Sequence, residues 1–187
     1  MPSSPYKSTT TDYKLLLHTC CADCAIKAIT SLEKMGFQKQ EILLYFDNSN
    51  IHPRSEWLAR LDAVKIIAEK ENTKLIIANW TPRTWLKDIK KENNKNLRRC
   101  KACWQHRLER TQKKTLELGI RKFSTTLLSS HYQNKEEIDR IGKGLNYKGL
   151  LFVILKDTDL VIHTKGFYKQ NYCGCCFSLA DRYRNNI

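Results

Sequence analysis

Short apolar runs alternate along this chain with segments whose apolar residues recur at three- and four-residue steps, and that alternation constrains the fold more than any other feature. Leu15, Leu16 and Leu17 form the first run and read as a buried strand stopping at His18-Thr19-Cys20-Cys21. A helix is expected from about Asp23 to Met35, with Ile26, Ile29 and Leu32 on one face and Gly36 ending it. Glu41 to Asp47 (EILLYFD) reads as a second strand, and a loop from Asn48 to Pro53 leads to a helix over about Arg54 to Glu71. In that helix Leu58, Leu61, Val64, Ile67 and Ala68 keep helical spacing. Lys74 to Ala78 is the third strand, Thr81-Pro82 opens a short helix, and the polar run Lys90 to Asn96 is an exposed connection. A long helix is expected from around Arg99 to Leu118, then a strand Lys122 to Leu128, a helix Lys135 to Leu145 and a strand Leu150 to Leu155. Strands alternating with crossover helices make a parallel sheet, so the expected fold class is α/β, Rossmann-like, with one domain over residues 14–187. Residues 1–13 are Ser/Thr-rich and lack the apolar centre of a signal peptide; they are expected to be a disordered leader.

No apolar run approaches the ~20 residues needed to span a bilayer, so no membrane segment is expected and the chain reads as cytoplasmic. Its 8 cysteines then point to chemistry, because thiols stay reduced in the cytosol and clustered ones there bind metal or exchange electrons more often than they staple loops. A formal charge of +14 attracts polyanions and makes nucleic acid the expected partner. The bland alternative is a solvated basic surface on a Lys- and Asn-rich chain.

Cys20, Cys21 and Cys24 sit where the first strand ends and the first helix begins, the place at which open α/β sheets bind ligands and a helix N-terminus favours thiolates. Cys100 and Cys103, two residues apart at the start of the long helix, have a spacing that lets both sulfurs reach one metal. Three readings of these five thiols stand side by side. They are buried free cysteines, or a four-thiolate zinc site of Cys21, Cys24, Cys100 and Cys103, or the ligands of an iron–sulfur centre. Spacing alone does not choose the metal.

A third group, Cys173-Gly174-Cys175-Cys176, has two cysteines one residue apart. Such a pair closes only a small, strained disulfide ring, and glycine supplies the backbone freedom this needs. Strained disulfides tend to be catalytic or labile; the other reading is a tail supplying a further metal ligand. The strand-to-helix turn Thr19 to Asp23 holds no glycine, and neither G-x-G-x-x-G nor a Walker A loop occurs anywhere, so dinucleotide binding in the Rossmann mode and ATP-dependent thiolation are not expected.

The strings LLLHTCCADC, LYFDNSNIHPRSEWLARL, RRCKACWQHRLERT, KFSTTLLSSHYQNKEEIDRIG and YKQNYCGCCFS, in this order between Leu15 and Ser178, resemble the QueH-type epoxyqueuosine reductases. The resemblance implies a cobalamin-independent enzyme that removes the epoxide oxygen of epoxyqueuosine at the tRNA wobble position, giving queuosine. It implies a 4Fe-4S cluster in a nucleotide-binding-like fold, with Cys20, Cys21, Cys100 and Cys103 as ligands and Cys173 with Cys175 as a redox-active disulfide. Spacing had paired Cys21 with Cys24, which the resemblance leaves without a role; Cys24 is expected to ligate an additional mononuclear iron beside the cluster. Cys176 stays unassigned. The segment Asp157 to Lys165 departs from the family, whose members carry a longer basic helical stretch there.

Asp47 follows the second strand on the edge that carries the cysteines and is the candidate proton donor, or a cap before Asn48. His18 reads as a core histidine bonded to backbone, and Tyr132 and Gln133 as post-strand loop residues placed to read substrate. Arg54, Arg60, Arg98, Arg99 and Arg107 flank the cysteine segments and suit phosphate contacts. Trp57 and Trp104 fit amphipathic helices as core residues, or base-stacking platforms. Two other classes remain in view: a zinc-stabilised RNA-binding module without catalysis, and a thiol–disulfide oxidoreductase working through Cys100 and Cys103.

Overall fold

A computed structural model describes residues 12–90, 96–156, 168 and 171–185. The elements run β1 (Leu15–His18), α1 (Ala22–Lys34), β2 (Ile42–Phe46), α2 (Arg54–Lys70), β3 (Lys74–Ile77), α3 (Pro82–Ile89), α4 (Asn96–Glu117), β4 (Lys122–Thr125), α5 (Lys135–Gly144), β5 (Leu151–Phe152) and α6 (Cys176–Asn185). The strands form one sheet in the order β3-β2-β1-β4-β5, and every pairing is parallel. This is the expected single-domain Rossmann-like α/β architecture. β1 lies at the centre, and its residues Leu15, Leu16, Leu17 and His18 are wholly buried. Helices cover both of its faces, which is why its sequence is a continuous apolar run and does not alternate. α1 packs against α2, while α4 packs against α3 and α5. Small Ala25 and Ala28 bring α1 close over the sheet, beside Ile29 and Leu32. Phe46, Ile51, Trp57, Leu61 and Val64 form a second apolar cluster beneath α2.

The chain leaves β1 toward β2 and β3, then crosses back to place β4 on the other side of β1. That reversal opens a crevice beyond the C-terminal ends of β1 and β4, the general ligand position of open α/β sheets. Helix and strand boundaries follow the sequence pattern closely, with four informative departures. β4 ends at Thr125, not Leu128, because the Thr125 hydroxyl accepts the Leu127 amide at 3.1 Å and turns the chain into a 3-10 segment over Thr126–Ser129. β5 shrinks to Leu151–Phe152 although β4 continues to Thr125, because the Ser124 hydroxyl takes the Val153 carbonyl at 2.7 Å; beyond it Lys156 N bonds Ser31 Oγ at 2.9 Å and the chain turns toward α1. α4 begins at Asn96, three residues before the expected start, and α6 has no counterpart among the expected elements. Gly142 lets α5 reach β5, since a Cβ there would stand 2.4 Å from the Phe152 ring. Among the described residues no helix is long and apolar enough to cross a membrane. Residues 91–95 of the polar connection and the atypical segment Asp157 to Lys165 lie outside the described residues.

Candidate metal and thiol site

The crevice is built first from backbone. Thr19 N bonds Tyr45 O at 2.8 Å, which extends the β1–β2 ladder by one residue, and Asn48 Nδ2 holds Thr19 O at 2.8 Å. Cys20 N donates to Thr126 Oγ1 at 3.1 Å, and the same hydroxyl donates to Cys20 Sγ at 3.3 Å. Cys21 caps α1 with extended backbone, and Cys24 follows one turn later. The three sulfurs of Cys20, Cys21 and Cys24 therefore converge within 4.8 Å of one another, and all three residues are buried. Hydrogen bonds from Cys21 and Cys24 pull the Cys20 thiol well below its usual range, against its burial and with help from Arg107. The same sharing pushes Cys21 up to about 12 and raises Cys24. One thiolate held by two thiols is a donor set prepared to take a cation.

His18, at the end of β1, is wholly buried with Nδ1 2.8 Å from Thr125 Oγ1 and Nε2 3.2 Å from the Asp47 carbonyl oxygen. Burial and then the Arg107 charge lower its pKa to about 4, so it is a neutral core histidine near pH 7. Arg107 of α4 is 4% exposed and donates to Asn48 Oδ1 at 2.7 Å; its Nη2 also stands 3.4 Å from His18 Nε2. Its Nε is buried with no hydrogen-bond partner, and among the described residues Arg107 forms no ion pair. A buried guanidinium without a carboxylate is several kcal/mol unfavourable unless another anion faces it. The groups it stabilises as anions are Cys20, Cys103 and Cys173. An orphaned cation set among thiolates fits a thiolate-held metal centre of net negative charge.

Arg107 also lines a partly open cavity of about 120 Å³, whose wall carries Cys100, Cys103, Cys173 and Cys175 together with Trp85, Trp104, Gln133 and Phe177. Trp85 Nε1 points at Cys103 Sγ at 3.3 Å, and burial pushes that thiol up to about 11. Trp104 donates to Gln133 Oε1 at 2.6 Å. Arg99 stacks 4.5 Å over Phe177. Cys173 and Cys175 place their sulfurs 3.6 Å apart. Ser178 Oγ lies 3.0 Å from the first and 3.5 Å from the second, while Ser178 N donates to Cys175 Sγ at 3.3 Å. Cys175 thus caps α6 with its sulfur, in the position where an oxygen acceptor usually sits. The Cys175 hydrogen bond, with Ser178 and Arg107 assisting and burial opposing, lowers Cys173 to about 6, whereas Cys175 is raised.

The cysteines singled out in the sequence fall into two neighbouring groups. Cys24 joins Cys20 and Cys21 in the tight trio; Cys100 and Cys103 stand outside it and share the cavity with Cys173 and Cys175. Asp47 is 3% exposed, accepts from Tyr45 Oη at 2.8 Å and Arg110 Nε at 2.6 Å, and does not line the cavity. Two of the five arginines expected to meet phosphate are inside: Arg60 and Arg107 are buried and face thiol-bearing segments, while Arg54 and Arg98 are exposed. Trp57 and Trp104 are buried, and Tyr132, 40% exposed, stacks on His131 at 3.9 Å. Sequence reasoning missed Ser178, although its place three residues after Cys175 is the capping spacing, and Asn50, a buried cavity residue whose Oδ1 has no partner.

The fold and site define the class: a parallel α/β protein whose switch-point crevice is lined by cysteines, three of them placed so that they could hold a metal. The family model described as epoxyqueuosine reductase QueH matches residues 15–181. Proteins named epoxyqueuosine reductase QueH from Acinetobacter baylyi and Thermotoga maritima are 32% and 31% identical, over 91% and 90% of this chain and 83% and 91% of theirs. The protein of the same name from Staphylococcus aureus is 30% identical, over 88% of this chain and 75% of its own. The chain belongs to the QueH family of epoxyqueuosine reductases.

Proposed function

We propose that this chain reduces epoxyqueuosine at the wobble position of the tRNA anticodon to queuosine. In this reading Cys20, Cys21, Cys100 and Cys103 hold a 4Fe-4S cluster, and Cys173 and Cys175 form a redox dithiol. The observation that carries it is the shared cavity, in which the Cys100/Cys103 pair and the Cys173/Cys175 pair line one wall with Arg107, itself in contact with His18 beside Cys20. Cys24, in the buried trio, is assigned to an additional mononuclear iron.

Removing the epoxide oxygen as water breaks two C–O bonds, forms a C=C bond and takes two electrons and two protons. Closing the Cys173/Cys175 pair to a disulfide releases two electrons and, with Cys173 already a thiolate, the one proton of Cys175; solvent supplies the second proton, and an external reductant reopens the disulfide. A bound iron–sulfur cluster supplies electrons one at a time at low potential. Cys173, with its pKa lowered to about 6, is a thiolate near pH 7 beside a protonated Cys175, so nucleophile and proton sit on adjacent sulfurs. Arg107, itself buried, balances thiolate charge where water screens it little. Trp85, Trp104 and Phe177 give the cavity flat apolar walls suited to an unpaired base. Because Trp104 occupies Gln133 Oε1, the Gln133 amide keeps its two N–H groups for the cavity. The partners of Asp47 favour charge pairing with Arg110 over proton delivery. Exposed Arg98, beside Cys100 at the start of α4, suits a tRNA phosphate, and the chain is assigned to the cytoplasm, where tRNA is modified.

The test is anaerobic reconstitution with iron and sulfide, then incubation with epoxyqueuosine-containing tRNA and a chemical reductant. Mass spectrometry of the digested nucleosides is expected to show queuosine, lighter by one oxygen. A fully loaded protein that leaves the epoxide untouched would overturn the reading. Colourless protein that binds zinc and tRNA without turnover would establish the RNA-binding module in its place.

A further inference from the structure

Arg60 belongs to α2, yet its guanidinium is only 2% exposed and serves the cysteine strap. Nε donates to Glu56 Oε1 at 2.6 Å, and the other Glu56 oxygen accepts the Tyr168 hydroxyl. The two terminal nitrogens reach the carbonyl oxygens of Tyr172 at 3.3 Å and Cys173 at 3.4 Å. The next carbonyl, of Gly174, accepts His52 N at 2.8 Å, and Tyr172 Oη returns a bond to His52 O at 2.7 Å. Three successive carbonyls of the strap are thus fastened. Gly174 has φ +109°, and a Cβ there would stand 2.9 Å from the nearest Arg60 nitrogen. Glycine is needed twice at this position: for the backbone angle and for the guanidinium beneath it. Burial works against the Arg60 charge, but Cys20 and Glu56 outweigh it, so the cation is retained.

We propose that Arg60 is a positioning residue for the dithiol: by clamping the Tyr172 and Cys173 carbonyls under an open Gly174, it holds Cys173 and Cys175 ready for ring closure and sets the balance between dithiol and disulfide. The clamp rests on the reading of Cys173 and Cys175 as a redox pair. Closure makes one S–S bond from the Cys173 thiolate and the Cys175 thiol, breaking the Cys175 S–H and releasing two electrons and one proton; with glutathione disulfide as oxidant, its S–S bond breaks and takes up the two electrons, that proton and one from solvent as two glutathione thiols. A free strap must give up conformational freedom to bring its sulfurs together, whereas a clamped strap already holds them 3.6 Å apart. The clamp therefore favours the disulfide.

The experiment equilibrates the reconstituted protein, in a Cys176→Ser background, against glutathione buffers of graded ratio. The Cys173/Cys175 state is read by alkylation and peptide mass spectrometry. Arg60→Met combined with Glu56→Gln, which removes both charges together, is expected to lower the disulfide-forming constant by about tenfold or more, and Arg60→Lys to recover part of the loss. Gly174→Ala, which forces a methyl against the guanidinium, is expected to give the same fall and carries the test if the double variant does not fold. Constants within about twofold of the parent in whichever of these variants fold would overturn the clamp. A constant that depends on Arg60 while Cys175→Ser keeps full turnover would uphold the clamp and remove the dithiol from the reaction.

Discussion

The buried trio and the cysteine strap face each other across Arg107, but they are held by different means. Cys20, Cys21 and Cys24 are placed by the backbone: the end of the central strand, one ladder-type bond to Tyr45 O, and the first turn of α1. Among the described residues Thr126, which bonds both the amide and the sulfur of Cys20, is the side chain from elsewhere in the chain that holds a cysteine of the trio. Cys173 and Cys175 lie in the irregular stretch directly before α6. Their placement depends on Arg60, Tyr172 and Ser178, side chains that come from α2, the strap itself and α6. Geometry inherited from a sheet is rigid and comes with folding, which suits ligands that must not move. Geometry assembled from side chains has more than one arrangement within reach, which suits a pair that opens and closes.

The largest expected effect breaks the comparison on its rigid side. Cys21→Ser is expected to lower bound iron and abolish queuosine formation while leaving the melting temperature of the metal-free protein close to that of the parent, since the fold places Cys21 and not the reverse. Iron analysis of reconstituted protein together with a thermal melt checks this. Next, Cys175→Ser should retain iron but slow multiple turnover by about tenfold or more on the dithiol reading, since a serine hydroxyl can still cap α6 while the thiol chemistry is lost. Full multiple turnover in this variant would erase the functional side of the contrast. Arg107→Met tests what joins the regions: removing the buried cation is expected to weaken iron retention by about 10–100-fold, the range of a residue acting behind the ligands. Chelator competition measures it, and retention equal to that of the parent would remove Arg107 from the centre.

The same contrast explains what was legible in the sequence. The trio was readable because β1 is a continuous apolar run, so the residue that ends it must emerge at the sheet's edge, and the cysteines begin two positions after His18. Strand alternation likewise fixed the parallel sheet. The strap was readable only as an unusual Cys-Gly-Cys spacing. That Arg60, more than a hundred residues earlier, reaches under Gly174 follows from tertiary packing that no periodicity encodes. In the sequence alone Arg60 and Arg107 read as phosphate ligands, because basic residues are normally solvated. Their burial depends on counter-charges, Glu56 and the thiolates, that come together only in the fold. Asp47 lies near the expected edge, but Arg110, 63 residues away in sequence on α4, claims its carboxylate.

The smallest effect sharpens the comparison inside the strap. Cys173 is lowered from the usual thiol value of 9.0 to about 6, first by Cys175 and then by backbone and Ser178 contacts working against burial. A thiol lowered on folding contributes stability that is complete above its unfolded pKa, here above 9.0, and is lost as pH falls toward about 6. In reduced, metal-free protein, iodoacetamide should therefore alkylate Cys173 at a constant rate above about pH 7 and about tenfold more slowly per pH unit below its midpoint. Ser178→Ala removes a hydroxyl 3.0 Å from Cys173 Sγ but keeps the Ser178 backbone amide that caps α6, so the midpoint should move up while the plateau stays. Cys100, raised by burial and served by a different helix, should keep its own high midpoint in the same sample. A midpoint that moves at Cys173 alone locates the control of reactivity in one side chain of the strap. An unmoved midpoint would assign it to the Cys175 pairing and the α6 backbone, and the strap would then resemble the trio more closely than its contacts indicate.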